Sequence, residues 1–173
     1  DQVEAKSQSL NSYSSKIKTL SKQIQFINNE KNLKLEQAQN KIKQSFLKIK
    51  SDSTDLEAIK TQLKIVNTQF ARSTQLNKEG LKPLTDVEEK RLKLQDVEAK
   101  ITSQENKLIS SKNDFINAKI ETNRIIAEYS EKAAKAESDQ YTALSNQFDT
   151  EAQVDKLKNQ YANYSIRNGM YYI

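Results

Sequence analysis

Apolar side chains recur along the first 79 residues at helical spacing. Leu10, Tyr13, Ile17, Leu20, Ile24 and Ile27 follow one another at alternating intervals of three and four. The pattern resumes at Leu35, Ala38, Ile42 and Ile49 and runs on through Leu56, Ile59, Leu63, Val66 and Phe70. That alternation is the seam of a coiled coil, because 3.5 residues per repeat keeps one stripe of a helix facing its partner. Between Ile24 and Leu35 the interval is 11 residues. A four-residue stutter there brings Lys31 near the seam and locally relaxes the supercoil. Residues Ser51–Asp55 are all polar, and Thr54 with Glu57 fits a capping box. Two readings stay open at this point. One is an exposed polar turn of a continuous helix; the other is a break near residues 51–54, with one helix over 1–50 and another over 54–79.

Stop and start signals then follow within a few residues. Gly80 suits the left-handed position that ends a helix, with Leu81 and Leu76 as the apolar pair that accompanies a Schellman cap. Pro83 cannot continue the helix. Thr85 and Glu88 form a second capping box, and Asp86, Glu88 and Glu89 favour the positive end of a new helix. The reading is therefore a helical hairpin: a first arm over 1–79, a tip turn over 80–85 and a second arm over 86–165. In the second arm Val87, Leu94, Ile101, Leu108 and Phe115 recur every seven residues, and Val97, Ala118 and Ile125 share a second seam position with Lys90, Gln104 and Ser111. Beyond Tyr129 the seam holds many alanines, which suits close approach of two helices. Equal distance from the turn places Ser51–Asp55 opposite Ser110–Asp114. The ending predicts a strand over 166–173, since Asn168-Gly169 is a hairpin-turn dipeptide between aromatic and β-branched residues.

Composition sharpens the fold class to all-α. Two glycines and one proline in 173 residues cannot supply the turns of a sandwich, barrel or doubly wound sheet. With no His and no Cys, the usual zinc ligands, thiol nucleophiles and imidazole acid–base pairs are missing. No carboxylate pair stands in a catalytic arrangement, Glu88-Glu89 being explained by the helix start. The reading is a non-enzyme with no cofactor and no metal. Charge favours pairing of the arms: residues 1–79 carry 14 basic and 8 acidic groups, whereas residues 80–173 carry 14 and 15. The lysines are dispersed rather than massed, so nucleic acid is not expected as a partner despite a pI near 9.2.

The tip differs from every other part of such a hairpin. Arg72 and Leu76 share a helix face, and Leu76, Leu81 and Leu84 gather apolar surface around Gly80 and Pro83. Here the chain resembles the periplasmic adaptor, or membrane fusion, proteins. These carry a long helical hairpin inserted in a lipoyl-like domain, with an Arg-x3-Leu-x6-Ser signature at its tip. Arg72 and Leu76 match that signature in type and spacing; Pro83 stands at the third position, and Thr85 is the nearest hydroxyl. Gly80 through Gln95 is similar to the HlyD-type adaptors in particular, and Tyr164–Ile173 to the strand by which their hairpins re-enter the lipoyl-like domain. The resemblance implies a periplasmic hairpin of a type I secretion system, held to the inner membrane by a segment outside this sequence. It implies three partners: an ABC exporter, a TolC-type outer-membrane channel docked by Arg72, Leu76, Leu81, Leu84 and Thr85, and further copies of itself. The alternatives are a cytosolic scaffold hairpin with no transport role, a nucleic-acid-binding hairpin and a refolded four-helix bundle.

Overall fold

A computed structural model describes residues 2–170. Two helices account for nearly all of them: α1 over Gln2–Lys78 and α2 over Leu84–Met170. At the tip they differ little from the expected arms, α1 ending one residue earlier and α2 starting two residues earlier. Among the described residues no helix is long and apolar enough to cross a membrane. By packing, the chain divides into two units, Glu36–Asn123 and Asp1–Leu35 with Arg124–Ile173.

In the Glu36–Asn123 unit the helices run antiparallel. Lys48 pairs with Asp114 at 3.3 Å, and Lys60 with Glu105 at 3.8 Å, so the α2 partner number falls as the α1 number rises. These pairs are exposed and contribute little energy each. The seam between them carries the stability. Ala38, Leu56, Val66, Val97 and Ala118 are buried, and Ile42, Ile49, Ile59, Leu63, Phe70, Leu94, Ile101, Leu108 and Phe115 are half-buried between them. Phe46 flanks the seam and meets Phe115 with ring centroids 6.2 Å apart.

The break considered near residues 51–54 is absent. α1 is continuous there, and Thr54 donates its hydroxyl to the Lys50 carbonyl at 3.0 Å as a mid-helix residue, not a cap. The reason lies across the interface. Asp52 is a seam residue, 4% exposed, and its carboxylate Oδ2 accepts a hydrogen bond from the Ser111 hydroxyl. Gln104 Nε2 donates to the Asp52 backbone oxygen at 3.0 Å. The polar stretches of the two arms do lie opposite each other, as equal distance from the turn requires, and Asp52, Gln104 and Ser111 form a bonded layer there.

In the other unit Leu20, Ile27, Ile125, Tyr129, Ala136, Ala143 and Val154 are buried. The stutter in α1 is realised: Ile24, Ile27, Lys31 and Leu35 are the residues turned inward. A matching stutter in α2, through Ile125, Tyr129, Ala133 and Ala136, was hidden in the sequence by the small residues that occupy it. The two meet at one level, where Lys31 Nζ stands 3.5 Å from Ser130 Oγ. A hydrogen bond to Glu30, aided by burial, holds the Tyr129 phenol above its ordinary value, and Lys132 Nζ lies 4.7 Å from its ring centre.

The strand expected over 166–173 is a correction. Tyr164, Ser165, Ile166, Asn168 and Gly169 all lie within α2, which continues to Met170; Tyr171–Ile173 fall outside the described residues. A strand needs a neighbour for its backbone groups, whereas a helix satisfies them within itself. Leu157, Tyr161 and Tyr164 also keep the intervals of four and three that suit a helix.

One seam hydroxyl is left unbonded. Ser73 is buried, and its Oγ is the single buried side-chain polar atom without a partner among the described residues. Ser45 faces the same situation and solves it by donating to the Lys41 carbonyl at 2.8 Å. Ser73→Ala should therefore stabilise the hairpin by about 1 kcal/mol, through the removed desolvation penalty and better helix propensity. Urea titration of both proteins measures the difference; a lower midpoint for the alanine variant refutes the assignment.

Candidate functional site

The tip is built from main-chain hydrogen bonds. At the end of α1, Gly80 N–H donates to the Asn77 carbonyl and Leu81 N–H to the Leu76 carbonyl, both at 2.9 Å. These are the two bonds of a Schellman motif, with Gly80 at its left-handed position, φ +72°. Asn77 adds a third tie, donating from Nδ2 to the Lys82 carbonyl at 2.7 Å. Lys82 in turn pairs with Asp86 at 3.0 Å, linking the turn to the first residues of α2. Sequence reasoning found Gly80, Leu76 and Leu81 but missed Asn77 and Lys82. The available signal was a short amide side chain three residues before the cap glycine, where such groups compete for backbone acceptors.

A Cβ placed on Gly80 would meet nothing within 4 Å. The whole penalty of Gly80→Ala is therefore backbone strain, about 1–2 kcal/mol for a left-handed L-residue. A melting curve should show that loss with helix content unchanged well below the transition; an unaltered midpoint would contradict the cap assignment.

The second capping box is not formed. α2 begins at Leu84, so Thr85 lies inside its first turn and cannot act as the cap. Asp86 N–H bonds instead to the Pro83 carbonyl at 3.2 Å. Proline ends the approach to the helix one residue earlier than the Thr85–Glu88 pattern suggests. Both Thr85 and Glu88 are exposed, so neither is held against the hairpin. Besides Asp86, Glu89 is engaged here: hydrogen bonding to Lys93, with the charges of Lys93 and Lys90, holds its carboxyl below the usual value.

The remaining tip side chains face outward. Leu81 is 69% exposed and Leu84 60%, so the apolar pair with Leu76 does not cover Leu81. Leu76 is half-buried. Arg72 is exposed, and no ion pair joins it to Glu79 or Glu88 among the described residues. Glu79 accepts instead from Gln75 Nε2 at 3.2 Å. The tip thus combines a guanidinium with two exposed leucines on a turn held by its own backbone. Among the described residues no group of acidic, His or Cys side chains is placed to hold a metal ion.

Comparison with known proteins leaves these observations to stand alone: no family model, no curated protein and no solved structure matches the chain.

Proposed function

We propose that this chain is the helical hairpin of a HlyD-type periplasmic adaptor, linking an inner-membrane ABC exporter to a TolC-type outer-membrane channel by docking its tip. The observation that carries the reading is the tip itself, where the exposed Leu81 and Leu84 flank a turn whose main chain is already ordered, with the exposed Arg72 about two helical turns before it on α1. A pre-ordered turn loses little conformational freedom on binding, so contact energy is not consumed in ordering it. Arg72 offers up to five donors in a fixed fork to carbonyls or carboxylates of the channel end. Leu81 and Leu84 supply the apolar area, to which the half-buried Leu76 adds what it leaves exposed. Thr85 lies beside them on the first turn of α2 and adds a hydroxyl. Several copies standing side by side around the channel complete the assembly.

The test is Arg72→Asp in the full-length protein. Channel capture should weaken roughly 30-fold or more, the effect of losing an arginine worth about 2 kcal/mol at an interface centre. Circular dichroism and melting should match the parent, because Arg72 is not part of the seam. Normal channel capture and export by the variant would overturn the docking role and leave a scaffold hairpin as the simpler account.

A further inference from the structure

The Asp52 layer carries an inference independent of the tip. A carboxylate in the seam of a coiled coil is costly unless the partner helix supplies donors at the same level. Here α2 supplies one donor to the carboxylate, a second to the Asp52 main chain and a nearby ammonium. Ser111, itself 0% exposed, donates its hydroxyl to Oδ2; Gln104 Nε2 bonds to the Asp52 carbonyl; and Lys107 Nζ stands 4.0 Å from Oδ1. No other ionisable group in the Glu36–Asn123 unit is buried. The arrangement is also one-sided. Asp52 belongs to α1, and its neutral partners Gln104 and Ser111 belong to α2 at positions one heptad apart.

We propose that this layer is a pairing-specificity device: it lets α1 accept α2 and makes α1 reject the α1 of a second copy. Both helices carry seams with regular intervals of three and four, so apolar patterning alone does not tell one partner from the other. In a parallel pair of α1 helices Asp52 faces the Asp52 of the other copy, two carboxylates buried together with no donor. Lys31, also turned inward on α1, faces its own copy in the same pairing. In the hairpin both residues have polar company from α2. The layer sets pairing while lowering stability, as polar seam residues do in coiled coils. The device matters to a protein whose copies stand close together, since long helices exchange partners wherever the seam permits.

The chain has no cysteine, so an introduced one reports contacts without background. Ile49 lies half-buried on the α1 seam, where it faces α2 in the hairpin and meets the Ile49 of a second copy only in a parallel α1 pair. In a thiol–disulfide buffer the Ile49→Cys protein should form little disulfide-linked dimer. Adding Asp52→Leu with Ser111→Ala should raise that dimer about tenfold, equivalent to ~1.4 kcal/mol of lost discrimination. The exchange Asp52→Ser with Ser111→Asp keeps a hydrogen-bonded layer but moves the carboxylate to α2, and it should raise the dimer too. Helicity by circular dichroism checks that each variant folds. If both folded variants form no more dimer than Ile49→Cys alone, or if only the apolar one does, the carboxylate does not set pairing and the proposal fails.

Discussion

Ser111→Ala will lower the stability of the hairpin by about 3 kcal/mol, an effect out of proportion to the single oxygen removed. The serine contributes little apolar contact. Its role is to donate to a carboxylate on a residue that is only 4% exposed. Without the hydroxyl, the Asp52 carboxylate keeps only the contact with Lys107 at 4.0 Å, longer than a hydrogen bond. The decisive comparison is the double variant. Asp52→Leu with Ser111→Ala removes donor and acceptor together, and it should match or exceed the parent, because an apolar layer carries no desolvation penalty. The two substitutions are thus strongly non-additive, and a double-mutant cycle by urea titration measures the coupling. A Ser111→Ala protein as stable as the parent would show that solvent reaches the carboxylate.

Ala143→Leu is the second large effect, and its sign runs against simple hydrophobic reasoning. Ala143 is 1% exposed, and Ala136 one heptad before it is buried as well. Small residues at successive seam positions let two helix backbones approach closely, so the added atoms of leucine have no space to enter. The substitution should cost about 2–3 kcal/mol by overpacking although it adds apolar area. Tyr141→Leu, at an exposed position two residues away, serves as the control and should change stability by less than about 0.5 kcal/mol. Thermal melts of the two variants separate the outcomes. A stabilised Ala143→Leu protein would mean that the seam holds a cavity at that level.

The residues that legibly set the fold were those that act locally. The intervals of three and four, the scarcity of glycine and proline, and Gly80 followed by Pro83 determine two helices and one turn with no knowledge of tertiary contacts. The stutter at Lys31 was readable for the same reason. What escaped depended on partners across the interface or on competition between nearby signals. Ser51–Asp55 read as a possible break because its polarity was visible while Ser111 and Gln104, more than 50 residues away, were not attached to it. Thr85 read as a cap because Pro83, two residues earlier, was weighed only as a stop and not as the residue whose carbonyl opens α2. The ending read as strand because aromatic and β-branched residues suit strands, but propensity is overridden when no neighbouring strand is present. At the tip, the exposed apolar surface expected of Leu81 and Leu84 is present, whereas Leu76 is half-buried, since its burial depends on packing against the other helix.

The hydrogen bonds of the turn end on the carbonyls of Leu76, Asn77, Lys82 and Pro83, the one side-chain amide among their donors belongs to Asn77, and the Lys82–Asp86 ion pair adds to them. Arg72, Leu81 and Leu84 take no part through their side chains. The end of the hairpin is therefore a mount whose fittings are interchangeable: the outward side chains can be exchanged for others while the support keeps its form. Side chains at such an end are free to drift in sequence without endangering the fold, and a grafted pair at positions 81 and 84 inherits a ready-made geometry.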